Sequence, residues 1–158
     1  MGEIMRTVFM KKGDAKALGI EGTTISPLLP EDIMKDALIE VGIATVDPGC
    51  ETEWTDGRGP FIHTGEEFWF VLEGELEARV GDESYHLKQG DFLYFDGMKP
   101  HMYKNSGKTQ VKVFQGCSPP EGVRVDYYEH LSPRQWQEAI ERRSKYEKIR
   151  IGVTRRYE

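Results

Sequence analysis

The sequence predicts an all-β fold, a sandwich or barrel of short strands, and three observations carry that reading. Short runs rich in β-branched and aromatic residues recur from about residue 38 to 118. Within several of them apolar and polar residues alternate, the period of a half-buried strand. Glycine, proline and aspartate turn signals separate the runs at near-regular intervals, as they do in small β architectures.

The elements follow in order. Residues 1–37 form an N-terminal segment with one strand candidate, Gly22-Thr-Thr-Ile-Ser-Pro-Leu-Leu29, and a short helical turn opened at Pro30. Leu38-Ile-Glu-Val-Gly-Ile-Ala-Thr-Val46 is β-branched and stops at the turn Asp47-Pro-Gly49. Phe68-Trp-Phe-Val-Leu72 is apolar without a break, as a strand buried on both faces would be, and ends at Glu73-Gly74. Leu76, Ala78 and Val80 alternate with Glu75, Glu77 and Arg79, and Gly81 turns the chain into Tyr85-His-Leu-Lys88. Gln89-Gly-Asp91 turns it again into Phe92-Leu-Tyr-Phe95, and Val111-Lys-Val-Phe-Gln115 supplies a late strand.

Beyond Ser118 the character changes. Ser132, Pro133 and Gln135 have the chemistry of a helix start: a serine cap, proline at the first helical position, glutamine three residues after the cap. Trp136, Ala139, Ile140 and Arg143 then share one face, predicting a C-terminal helix packed outside the barrel within an extension over 119–158. The basic residues between Arg142 and Arg156 read as a solvated face.

A chain of 158 residues holds one core of ordinary size, and 38% hydrophobic with 30% charged residues suits a soluble globular protein. The net charge of −6 argues against nucleic acid as a partner. Cys50 and Cys117 are too few for a disulfide framework and read as reduced core or pocket residues. The start has no continuous apolar stretch of a signal peptide, and no run approaches the roughly 20 residues of a membrane span. Cytoplasm is the expected location and no membrane partner is expected.

The chemistry gathers on three residues. His63 and Glu67 are four apart on extended chain and share a face, and His101 lies on a later strand with Tyr103 and Asn105 in the same parity. Two imidazoles and a carboxylate are the donor set of an open three-point site for a divalent metal. Parity then frames a pocket with Trp69, Tyr103, Gln115 and Cys117, while Phe61 stands two residues before His63 on the same face. A bulge would shift this frame by one residue. The loop Asp56-Gly-Arg-Gly-Pro60 precedes the site, where Arg58 could receive an anionic group or the segment could be only a turn. His63 could equally be a satisfied pocket histidine and Glu67 an acceptor of backbone amides. His86 and His130 read as solvent-facing, and no Ser/His/Asp order, phosphate loop or Cys-x-x-Cys pair is present.

His63, Glu67 and Gly74, followed by Gly90, His101 and Asn105, resemble the two-part signature of the cupins. The stretch from Gly65 to Asn105 is similar throughout to single-domain cupins and to the sensor domains of some helix-turn-helix regulators. The resemblance covers roughly residues 38–118, about half the chain. It implies a double-stranded β-helix, or jelly-roll barrel, and a divalent ion held by His63, Glu67 and His101. Iron is the first expectation, with zinc, manganese and nickel as alternatives. The His-x-x-x-Glu and later histidine are similar to the iron site of the hydroxypropylphosphonate epoxidase cupin.

The chain departs from the pattern at Phe61, where the first family histidine would fall, and at Asp96 and Met98. The resemblance implies a small-molecule enzyme, an oxygenase, isomerase or lyase, or else a non-catalytic binding or sensor module. The absence of an attached helix-turn-helix favours the enzyme. Small cupins commonly pair, so a homodimer is expected, joined through an open strand edge around Thr23 to Leu29.

Overall fold

A computed structural model describes residues 7–20, 22–30, 33, 37–51, 63, 65–97 and 99–118. Arg58, Phe61, His130, the helix expected from Ser132 and the basic tail lie outside the described residues. Nine strands occur among those described: β1 (Leu18–Ile20), β2 (Thr23–Pro27), β3 (Glu40–Val46), β4 (Glu66–Glu73), β5 (Glu75–Val80), β6 (Glu83–Lys88), β7 (Phe92–Asp96), β8 (His101–Lys104) and β9 (Val111–Ser118). They form a six-stranded sheet in the order β1-β2-β3-β9-β4-β7 and a three-stranded sheet in the order β6-β5-β8. Every pairing is antiparallel. The result is the all-β sandwich that the strand pattern and turn chemistry predict, in the jelly-roll form that the resemblance implies.

The alternation seen in sequence is the reason for this arrangement. Leu76, Ala78 and Val80 of β5 turn inward and are buried, while Glu75, Glu77 and Arg79, which alternate with them, are exposed. Ala44 and Val46 of β3, Trp69 and Val71 of β4, and Val111 and Val113 of β9 meet them from the larger sheet. Burying a side chain of this size contributes about 1.5–3 kcal/mol. A surface pair such as Lys112–Glu73, at 2.9 Å, contributes about 1 kcal/mol at most. The apolar layer therefore decides the fold, and the surface charges do not.

Gly74 makes the one-residue connection from β4 to β5 with φ of 86°, and a Cβ there would stand 3.0 Å from Val111. Only glycine adopts that conformation without strain.

Two expectations change. β4 is buried on one face only: Trp69 and Val71 enter the core, whereas Phe68, Phe70 and Leu72 are partly exposed. A continuous apolar run does not distinguish these cases, because the outer face of β4 carries its own aromatic layer. Phe68 stacks with Phe92 at 5.7 Å and meets Phe114 edge-on at 5.4 Å. Gly116 makes room for that ring, since a Cβ there would lie 2.6 Å from Phe68 Cε1.

The second change concerns the N-terminal segment. β2 is paired with β3 along Thr23–Pro27, and β1 covers its other side over Thr23–Ile25, so the first half of the expected edge is occupied within the chain. The flanking strand was missed because β1 spans only three residues. Near Pro30 the predicted turn is present as the bond from Ile33 N–H to the Pro30 carbonyl, 3.0 Å. No helix among the described residues is long and apolar enough to cross a membrane.

Candidate metal centre

The three candidate ligands come from separate parts of the chain. Glu67 lies on β4, directly opposite Phe95 on β7 and Cys117 on β9. His101 opens β8 in the other sheet, opposite Val80. His63 precedes β4 and is tied to the end of β7 by its N–H, which donates to the Gly97 carbonyl at 2.9 Å. Both imidazoles are buried, at 3% and 2% exposure. Their Nε2 atoms converge on one carboxylate oxygen: Glu67 Oε2 lies 2.8 Å from His63 and 3.3 Å from His101. One candidate ligand atom from each residue falls within 4.8 Å of the others. The three residues converge as expected, although His63 and Glu67 do not share one extended strand: β4 begins at Glu66, and Gly65 before it has φ of 98°.

The surroundings prepare these atoms. His101 Nδ1 lies 2.8 Å from the Lys99 carbonyl, which can only accept, so Nδ1 carries a proton. In the neutral ring Nε2 then presents its lone pair to the site. Burial alone would raise the Glu67 carboxyl, but hydrogen bonds and charge from His101 and His63 outweigh it and hold it below the usual carboxylate range. Glu67 is thus an anion, the form a metal requires. Its other oxygen, Oε1, accepts from the Trp69 indole at 2.7 Å.

The sequence-predicted pocket residues divide. Trp69, Tyr103 and Cys117 are buried on the site's face, and Gln115 is half-buried opposite Trp69. The bulge that could have shifted their parity occurs between Val71 and Glu73, beyond the site. Neither cysteine forms a disulfide among the described residues. His86 is on the surface, as expected, paired with Glu75 at 2.7 Å.

Burial, followed by the charge of Glu67, pushes the Tyr103 phenol above its ordinary value of 10.0. The folded state therefore holds this proton more tightly than the unfolded chain. Stability from this group is complete below about pH 10 and declines as pH rises from the ordinary value toward the raised one. Tyr103→Phe should flatten that alkaline decline in urea unfolding measured between pH 9 and 11. An unchanged slope would remove the assignment.

Sequence reading missed two residues. Phe95 packs on the His101 ring at 4.8 Å and on Trp69 at 4.7 Å. The sequence marked it only as the end of a strand, and its place beside the site follows from the β4–β7 register. Gly97 is closer still: a Cβ there would lie 2.5 Å from His63 Cε1 and Nδ1 and 2.8 Å from its carbonyl. Attention fell on its neighbours Asp96 and Met98, although a glycine just past a strand end is itself a signal of close approach. Gly97→Ala should displace the His63 ring and weaken metal binding at least about 10-fold, the lower end of what loss of a supporting contact costs. Titration of apo-protein with zinc tests this, and affinity equal to the parent would show that the ring accommodates the methyl.

Residues 42–115 match the family model described as Cupin domain. This stretch is a cupin domain. An uncharacterised protein of Methanocaldococcus jannaschii is 28% identical over 103 residues, covering 63% of this chain and 76% of that protein. Among solved structures, the cupin domain of an XRE-family transcriptional regulator from Enterobacter cloacae is similar at 25% identity and a TM-score of 0.52. That match covers 63% of this chain and 99% of the other. An RmlC-like cupin from Shewanella frigidimarina, at 17% identity, covers 73% and 94% with a TM-score of 0.59. A sugar phosphate isomerase of the cupin superfamily from Silicibacter pomeroyi, at 18% identity, covers 70% and 68% with a TM-score of 0.55. The last two likenesses concern the fold alone. A cupin fold with a His/Glu/His group able to hold a divalent metal is the common ground of these findings.

Proposed function

We propose that this cupin-domain protein binds a first-row divalent ion through His63, Glu67 and His101 and acts with it on a small, anionic organic molecule. One observation carries the metal assignment. His63 Nε2 and His101 Nε2, each the ring nitrogen turned toward the site, converge on one Glu67 carboxylate oxygen at 2.8 and 3.3 Å. Two imidazole nitrogens and a carboxylate oxygen gathered on one buried point are a donor set suited to a metal once the imidazoles give up their protons there.

Two nitrogens and one oxygen favour ferrous iron, with zinc, manganese and nickel as alternatives. When bound, such an ion supplies Lewis acidity or, as iron, oxygen activation, which opens oxygenase, isomerase and lyase chemistry. The chain's own contribution is a dry, oriented site. Phe95 and Trp69 exclude water from the His101 side, and Tyr103 stays a neutral phenol able to donate a hydrogen bond. Arg58, five residues before His63 in the sequence, is the reason to expect an anionic group on the substrate.

A second reading has its own support, the likeness to the cupin domain of a transcriptional regulator. There the same pocket captures a metabolite without turnover. Metal analysis of protein expressed without chelator tests the shared premise: about one equivalent of metal per chain is expected, and a metal-free protein that also refuses all four ions would sink it. Incubating the loaded protein with a panel of small carboxylates and phosphate esters separates the readings. Consumption of one compound supports the enzyme, and saturable binding without product supports the sensor.

A further inference from the structure

We propose that Trp69 is a positioning residue of the metal centre, its indole N–H restricting Glu67 to a single ligating oxygen. The inference rests on the metal reading above. A carboxylate on a flexible stem can turn either oxygen, or both, toward an ion. Here the choice is removed by a neighbour two residues along the same face of β4. Trp69 Nε1 donates to Glu67 Oε1 at 2.7 Å, while Oε2 is left facing His63 and His101 at 2.8 and 3.3 Å. The two oxygens have different partners, and the carboxylate plane is set by both.

The restraint holds because the indole cannot move. Trp69 is 1% exposed. Its ring is held edge-on or inclined by Phe95 at 4.7 Å, Tyr103 at 5.2 Å and His101 at 5.9 Å. Rotating Glu67 toward two-oxygen ligation would strand a buried N–H without an acceptor, which opposes the rotation. Trp69 also touches His101, so one side chain sets the orientation of two of the three ligands. With one atom from each of three residues, the chain leaves more of the ion's surface to an outside molecule than two-oxygen ligation would. A freely turning carboxylate could close that space.

Cobalt(II) is the probe, because its visible absorption reports coordination number. The full-length chain, Trp69→Phe, and a chain carrying benzothienylalanine at position 69 are compared. That last residue has the shape of tryptophan with sulfur in place of N–H, so it keeps the packing if the phenyl ring does not. Glu67→Ala serves as the reference for a lost ligand. Both position-69 variants should bind cobalt about 10–100-fold more weakly than the parent. Their absorption should also be weaker, as expected when a second carboxylate oxygen raises the coordination number. In metal-free parent protein the indole proton of Trp69 should resonate downfield and exchange slowly, and Glu67→Ala should abolish both features.

Failure of the two ideas looks different. If the parent binds no cobalt, or Glu67→Ala binds it equally well, the metal reading falls and this inference with it. If the parent binds through Glu67 but the benzothienylalanine chain shows the same affinity and spectrum, the metal reading stands and the role of Trp69 is overturned.

Discussion

Alanine at His63, Glu67 or His101 should each lower metal affinity more than about 100-fold, beyond the roughly 10–100-fold cost of losing a supporting residue. The geometry gives the reason. All three ligand atoms point at one buried place, and no other group of three or more His, Cys, Asp or Glu side chains so arranged occurs among the described residues. A two-ligand remnant cannot hold an ion against water at micromolar concentration. His86→Ala should retain full metal content, because His86 faces solvent beside Glu75 on the other sheet's outer face. The difference should also appear in thermal stability. A ligand that binds only the folded chain adds about 2.7 kcal/mol at a hundred times its dissociation constant, so the parent gains on metal addition and the three variants do not. Equilibrium dialysis with metal analysis on all four variants decides the matter, and equal content throughout would place any ion elsewhere. Acid should release the metal from the parent, since protons compete for the imidazoles.

Asn105→Ala should cost about 2–4 kcal/mol of folding stability without emptying the metal centre. Asn105 is fully buried, and its amide bridges three points of chain. Its Nδ2 donates to the Val46 carbonyl at 2.9 Å and to the Thr109 carbonyl at 2.8 Å, and its Oδ1 accepts from Gly107 N–H at 3.0 Å. Its backbone bonds Cys50 and Gly49, so the turn after β3 and the turn before β9 both depend on it. Each buried group left without a partner costs about 1–3 kcal/mol, and water can reach part of the Thr109 side. Asn105→Asp should be at least as damaging at neutral pH, because a carboxylate would face two carbonyls and donate to neither. Its deficit should shrink as pH falls, since a protonated acid can donate to one of them. Urea unfolding reads both variants; a loss below about 0.5 kcal/mol for alanine would show that the turns hold without the amide.

The asparagine also marks how far sequence reached. It was singled out because it matched the second half of a cupin signature, on the same face as His101 and Tyr103. Parity put it inside correctly. Nothing local said that it ties Val46 to Thr109, because that bond spans 59 positions of chain. Similarly, the alternation of Leu76, Ala78 and Val80 was sufficient to place β5 with one face in the core. The continuous run of β4 was not, since apolarity on the outer face comes from aromatic rings stacking on one another over Gly116.

What the sequence by itself determined was whatever depends on neighbours within a few residues: strand character, turns at Gly74 and Gly90, and the common face of Glu67 and Trp69. These follow from the period of an extended chain and the conformational range of glycine. Only the tertiary structure decided which strands lie side by side. That register brought His101 from one sheet to Glu67 on the other, set Phe95 and Gly97 against the two imidazoles, and placed Thr23–Ile25 of β2 between two partners. Strand pairing is chosen by how inner faces fit across a shared core, a property of the whole chain that no single run of residues contains.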